Sequence, residues 1–173
     1  MSTRADYTVE EWEAIRRTPA EAVVAVEQAS HAGFMGRRRE RKATEKSFKE
    51  AIAQFSGLGL IDAIVAAKDE EGVLIDALRA AGEPLLDTAV ETATRARRAM
   101  EAKASREERE AFVNTVLEAA EAVALATGER SDSSKVSQAE ALLLGRLAAA
   151  LGKPGYEPPQ DRWTAFDPAH RDQ

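Results

Sequence analysis

The chain predicts an all-α fold, a single-domain helical bundle of about seven helices with a flexible C-terminal tail. Three observations predict it. Apolar residues make up 44% of the 173 residues but aromatics only 5%, so the core must be built from Ala, Leu, Val and Ile, whose compact side chains suit close helix–helix packing. Alanine, the best helix former, recurs in stretches such as Ala119-Ala120-Glu121-Ala122 and Leu147-Ala148-Ala149-Ala150-Leu151. Capping boxes of the form Ser/Thr-x-x-Glu stand ahead of apolar residues spaced by three and four.

Each element follows from these signals in order. Thr8-Val9-Glu10-Glu11 is a capping box, in which hydroxyl and carboxylate satisfy orphan N–H groups reciprocally, and it opens a short helix expected to end near Arg17. Thr18-Pro19-Ala20-Glu21 repeats the signal with Pro at the first helical position, where its missing N–H costs nothing. A second helix carrying Val23, Val24 and Val26 is expected from there to Ser30 or His31. Gly33-Phe34-Met35-Gly36 should form a loop or bend. The next helix begins in the basic run Arg37-Arg38-Arg39-Glu40-Arg41-Lys42 and continues through Phe48, Ile52 and Phe55. After Ser56-Gly57 and Gly59, two short helices, Leu60 to Ala67 and Val73 to Leu78, form a hairpin separated by Asp69-Glu70-Glu71-Gly72.

Gly82-Glu83-Pro84 ends the hairpin and begins a long helix whose Leu86, Ala89, Val90, Ala93, Ala96 and Met100 form one stripe, opposite Glu91, Arg95, Arg98 and Glu101. Ser105-Arg106-Glu107-Glu108 is a further capping box, launching Phe112, Val113, Val116, Leu117, Ala120, Val123 and Ala124, with a stop at Thr127-Gly128. A polar loop from Glu129 to Lys135 leads to the capping box Ser137-Gln138-Ala139-Glu140. The last helix, with Val136, Leu143, Leu147 and Leu151, ends at Gly152. The domain therefore spans residues 1–152. The tail, 153–173, holds Pro154, Pro158, Pro159 and Pro168, which deny regular structure.

Composition excludes several function classes. A net charge of -6 argues against general nucleic-acid binding, which needs a basic surface. The absence of cysteine removes disulfides, thiolate catalysis and Cys-ligated zinc. Met1 to Tyr7 lack the apolar core of a signal peptide, and no apolar run approaches the roughly 20 residues of a membrane span. The expected location is the cytoplasm.

The segments around 20–54 and 112–151 share an order of events. Each has an Ala/Val-rich helix, a Gly/Ser-containing loop, and a charged start to an amphipathic helix. With Ala126-Thr127-Gly128 followed by Ser137-Gln138-Ala139-Glu140, the second segment loosely resembles the tellurite-resistance TerB-like helical domain. That family has two related helical halves, each with an acidic, Gly-containing loop followed by Ser-x-x-Glu. The resemblance covers the last third of the chain and implies a divalent cation as cofactor, with Glu129, Asp132 and Glu140 as candidate ligands. Thr127 stands where the family has Asp, and the first loop, His31 to Gly36, has no carboxylate.

Catalytic constellations are sparse. Glu27 and His31 lie four apart on one helix face, a spacing open to a metal pair or a simple surface contact, while a stable metal site wants three or four ligands. His170 is the second of two histidines, so no Ser-His-Asp triad can be assembled. Asp62, Asp76, Asp87 and Glu91 lack the Glu-x-x-His repeats of a di-metal bundle.

Binding features are more prominent. Arg37 to Lys49 contain seven Arg/Lys residues against Glu40 and Glu45. Arg37, Arg38, Arg39, Arg41 and Lys42 are thus candidates for binding an anion, an acidic partner or a membrane surface peripherally. They open a helix, where positive charge opposes the dipole. Phe34 and Met35 could join that contact. Trp163 and Phe166 in the tail have the form of a docking peptide or of residues that fold back on the protein. The expected function is a non-enzymatic helical interaction or assembly protein without cofactor, binding a protein partner or itself as a homo-oligomer. The TerB-like alternative is an ion-binding stress-response module.

Overall fold

A computed structural model describes residues 2–29, 59–66, 68–127 and 136–158. Among the described residues lie a single 3-10 turn, Arg4–Asp6, and six α-helices with no strand: α1 (Val9–Ala29), α2 (Gly59–Ala66), α3 (Lys68–Ala81), α4 (Leu86–Lys103), α5 (Arg106–Thr127) and α6 (Gln138–Ala150). The all-α expectation holds. The loop expected at Gly33 to Gly36 and the helix expected from the basic run after it lie outside the described residues, as does the chain beyond Pro158.

The capping boxes form as local chemistry dictates. At α1, Thr8 N–H donates to Glu11 Oε2 at 2.8 Å and Glu11 N–H to Thr8 Oγ1 at 3.2 Å. Ser105 and Glu108 exchange the same pair at α5, at 2.9 and 3.2 Å. So do Ser137 and Glu140 at α6, at 2.7 and 3.3 Å.

Thr18-Pro19 does not start a helix. Pro19 lies inside α1, which runs unbroken from Val9 to Ala29. A mid-helix proline removes one backbone hydrogen bond and costs about 3 kcal/mol, so packing must outweigh the local signal. Every residue from Thr18 through Val26 is buried, on all sides of the helix, and α1 touches α3, α4, α5 and α6. Thr18 Oγ1, expected as a cap, instead donates to the Ala14 carbonyl at 2.7 Å, and Glu21 accepts from Arg17 Nε at 2.8 Å. Asp69-Glu70-Glu71-Gly72, expected to separate two helices, belongs to α3. Acidic residues at a helix start have the sign the dipole favours, and Gly72 is exposed, where glycine is tolerated at a cost of about 1 kcal/mol.

The core is the α1 hub and the helices around it. Ala89, Ala93, Ala96 and Met100 are buried along α4, as the stripe predicts, whereas Leu86, at the first position of the helix, is exposed. From α5 come Phe112, Val116, Leu117, Ala120 and Val123, and from α6 Leu143, Leu144 and Leu147. Alanine on these faces brings backbones close, so the core is dense without aromatic bulk.

Side chains tie the ends together. The Gln28 amide donates to the Glu83 carbonyl and accepts from Leu85 N–H, both at 2.9 Å, holding the turn between α3 and α4 against the end of α1. The N-terminal segment docks on α4 and α5. Buried Ser2 donates its N–H to Glu108 Oε1 at 2.7 Å, and Tyr7 Oη donates to Ser2 Oγ at 3.1 Å. Lys103 sits over the Tyr7 ring, 5.4 Å from its centroid, and pairs with Glu11. No described helix is long and apolar enough to cross a membrane.

Candidate functional site

Of the three proposed metal ligands, only Glu140 is among the described residues. Its carboxylate is buried and accepts the Ser137 N–H at the start of α6. A cation there would compete with this helix cap. Glu129 and Asp132 lie outside the described residues, as do Arg37, Arg38, Arg39, Arg41, Lys42, Phe34, Met35, Trp163 and Phe166. Among the described residues, no three His, Asp or Glu side chains gather as a metal site.

The remaining carboxylates disperse. Glu27 faces Arg79 of α3, whose Nε donates to Glu27 Oε2 at 2.8 Å and whose Nη2 reaches the other oxygen. This fork, with Asp76 beside it, holds the Arg79 guanidinium above its ordinary pKa. It joins α1 to α3. Asp62, Asp76, Asp87 and Glu91 are exposed. Asp87 accepts from Arg146 Nη2 at 2.7 Å, bridging α4 and α6.

Two surface features are built by the fold. The first is a cleft of about 320 Å³ where the last turns of α4, the first turns of α5 and the end of α6 meet. Its end on α6 depends on a glycine. Gly152 N–H donates to the Ala149 carbonyl at 3.0 Å and Lys153 N–H to the Ala148 carbonyl at 2.7 Å, the paired bonds of a Schellman cap. Gly152 has φ +93, and a Cβ there would lie 3.3 Å from Arg97 Cδ, so glycine serves both the turn and the approach of Arg97. Arg97, Arg106, Arg109 and Lys153 line the cleft together with Glu101 and Glu110.

These cations are not equally compensated. Arg106 Nε donates to Glu110 Oε1 at 2.7 Å, and Arg97 Nε stands 3.7 Å from Glu101. Arg109 Nη1 instead donates to the Ala104 carbonyl at 2.8 Å, and Lys153 Nζ to Asn114 Oδ1 at 2.6 Å, both neutral acceptors. The Glu110 carboxyl is held below the usual range, first by the Arg106 hydrogen bond and charge, and further by Lys153 and Arg109. Arg97 Nε is buried and makes no hydrogen bond.

The second feature joins α4 and α6. Leu86 is 37% exposed and Leu142 is 68% exposed. Leu142 precedes Arg146 by one helical turn and Leu86 adjoins Asp87 in the chain, so each leucine neighbours one partner of the Asp87–Arg146 bridge along its helix. The other large exposed apolar residues, Val9 and Val73, stand on α1 and α3.

Sequence reasoning missed both features because their residues are distant in the chain. The start of α5 intersperses Arg106 and Arg109 with Glu107, Glu108 and Glu110, so its local charge pattern gave no signal of the cleft. No family model matches the chain, and no curated protein or solved structure was found similar to it.

Proposed function

We propose that this chain is a non-enzymatic helical interaction module that assembles with a second copy of itself through the α4–α6 face. The observation that carries this reading is the exposure of Leu86 and Leu142 beside a bridge of opposite charges, Asp87 and Arg146. A two-fold contact pairs a patch with its own copy. This patch is suited to that symmetry, because apolar surface can meet apolar surface while the carboxylate of each copy faces the guanidinium of the other.

Light scattering after size exclusion tests the reading. The wild-type chain should give twice the monomer mass of 18.7 kDa, and Leu142→Asp should return it to one. A wild-type monomer at every concentration would sink the proposal, as would a Leu142→Asp variant that still associates.

A further inference from the structure

The cleft between α4, α5 and α6 has a chemistry distinct from the assembly face. Four cationic side chains and two carboxylates line it, a local excess of two positive charges (4 − 2) on a chain of net charge -6. The excess resides in Arg109 and Lys153, whose hydrogen-bond acceptors are neutral. At the α6 side, the Schellman bonds satisfy the Ala148 and Ala149 carbonyls, which blunts the negative pole facing the cleft.

An anion seated in the cleft would meet two cations whose own hydrogen-bond acceptors carry no charge, and a hydrogen bond between ionised partners is the stronger kind. A phosphate monoester carries a charge of about -1.5 to -2 at neutral pH and three acceptor oxygens, which matches the excess charge. The cleft, about 320 Å³, lies at the small end of ligand pockets. Val113 and Leu151 in its wall offer apolar contact to an organic body. We propose that this cleft binds the phosphate group of a small phosphorylated molecule, held by Arg109 and Lys153.

Glycerol phosphate, titrated into the full chain at constant ionic strength and followed by nitrogen–proton NMR, tests the site. Expected are saturable shifts at the Gly152 and Lys153 amides and at the Arg109 Nε–H. Lys153→Met should weaken binding by about tenfold, the effect of removing one charge-assisted contact, with the rest of the spectrum unchanged. Arg109→Met should weaken it comparably, and circular dichroism reports whether that variant folds. No saturable shift in the millimolar range would overturn the proposal. So would an equal response to chloride or acetate, or an unaltered affinity in Lys153→Met.

Discussion

Glu108 is the residue on which local and long-range structure converge, and replacing it with glutamine separates its two roles. Its carboxylate is 1% exposed and accepts on both oxygens, from Ser105 N–H at 2.9 Å and from Ser2 N–H at 2.7 Å. Glutamine keeps the shape but has one acceptor oxygen. Whichever way the amide is turned, its NH2 faces a backbone N–H, at α5 or at the N-terminal segment. A hydrogen bond to a charged group contributes about 1.5–3 kcal/mol, so Glu108→Gln should cost about 2 kcal/mol. For a chain of this length that lowers Tm by about 4–8 °C. Burial pushes the Glu108 carboxyl up, but the hydrogen bonds from Ser105 and Ser2 outweigh it and the pKa is lowered. A carboxylate with a lowered folded pKa contributes stability that is present above the unfolded value, about 4.3, and lost as pH falls through the folded one. The gap between wild type and variant should therefore close on acidification below pH of about 4. Urea denaturation followed by circular dichroism across that range measures it. Equal midpoints at neutral pH, or a gap that persists unchanged in acid, would refute the reasoning.

Two further substitutions probe the cleft and the hub. Gly152→Ala places a Cβ at φ +93 and 3.3 Å from Arg97 Cδ. The left-handed backbone costs about 1–2 kcal/mol, and the denaturation midpoint should fall accordingly; a midpoint equal to wild type would contradict this account of the α6 cap. Ala96→Leu adds volume at a fully buried α4 position, where overpacking costs about 1–3 kcal/mol. Calorimetry should show the loss, and an unchanged Tm would mean the helices can part more easily than the packing implies.

How much of this was legible in the chain depends on the range of the forces involved. The boxes at Thr8, Ser105 and Ser137 form as read because donor and acceptor lie three residues apart and need no tertiary help. Thr18-Pro19-Ala20-Glu21 carries the same local signal and fails, because the burial of Thr18 through Val26 by four helices outweighs one lost hydrogen bond. No window of sequence contains that burial. Asp69 to Gly72 failed for the opposite reason. A turn-like composition was also compatible with the opening of a helix. The cap role of Glu108 was readable, but its bond to Ser2, 106 residues away, was not. The cleft gathers Arg97 and Lys153 from two helix ends that only the packing of α4 on α6 brings together.

The all-round burial of α1 also bears on how the chain acquires its structure. Most helices can shelter one apolar stripe against a neighbour and leave the rest to water. From Thr18 to Val26, α1 has no side suited to solvent, and the helices that cover it, α3 to α6, follow it in the chain. Its native contacts consequently span long loops, and closing long loops slows folding. Until those helices dock, the stretch from Thr18 to Val26 is uncovered apolar surface, the kind that drives aggregation of partly folded chains. Substitutions that weaken α6 should therefore lower the yield of refolded protein more than their equilibrium cost suggests, because they delay the closing of the hub.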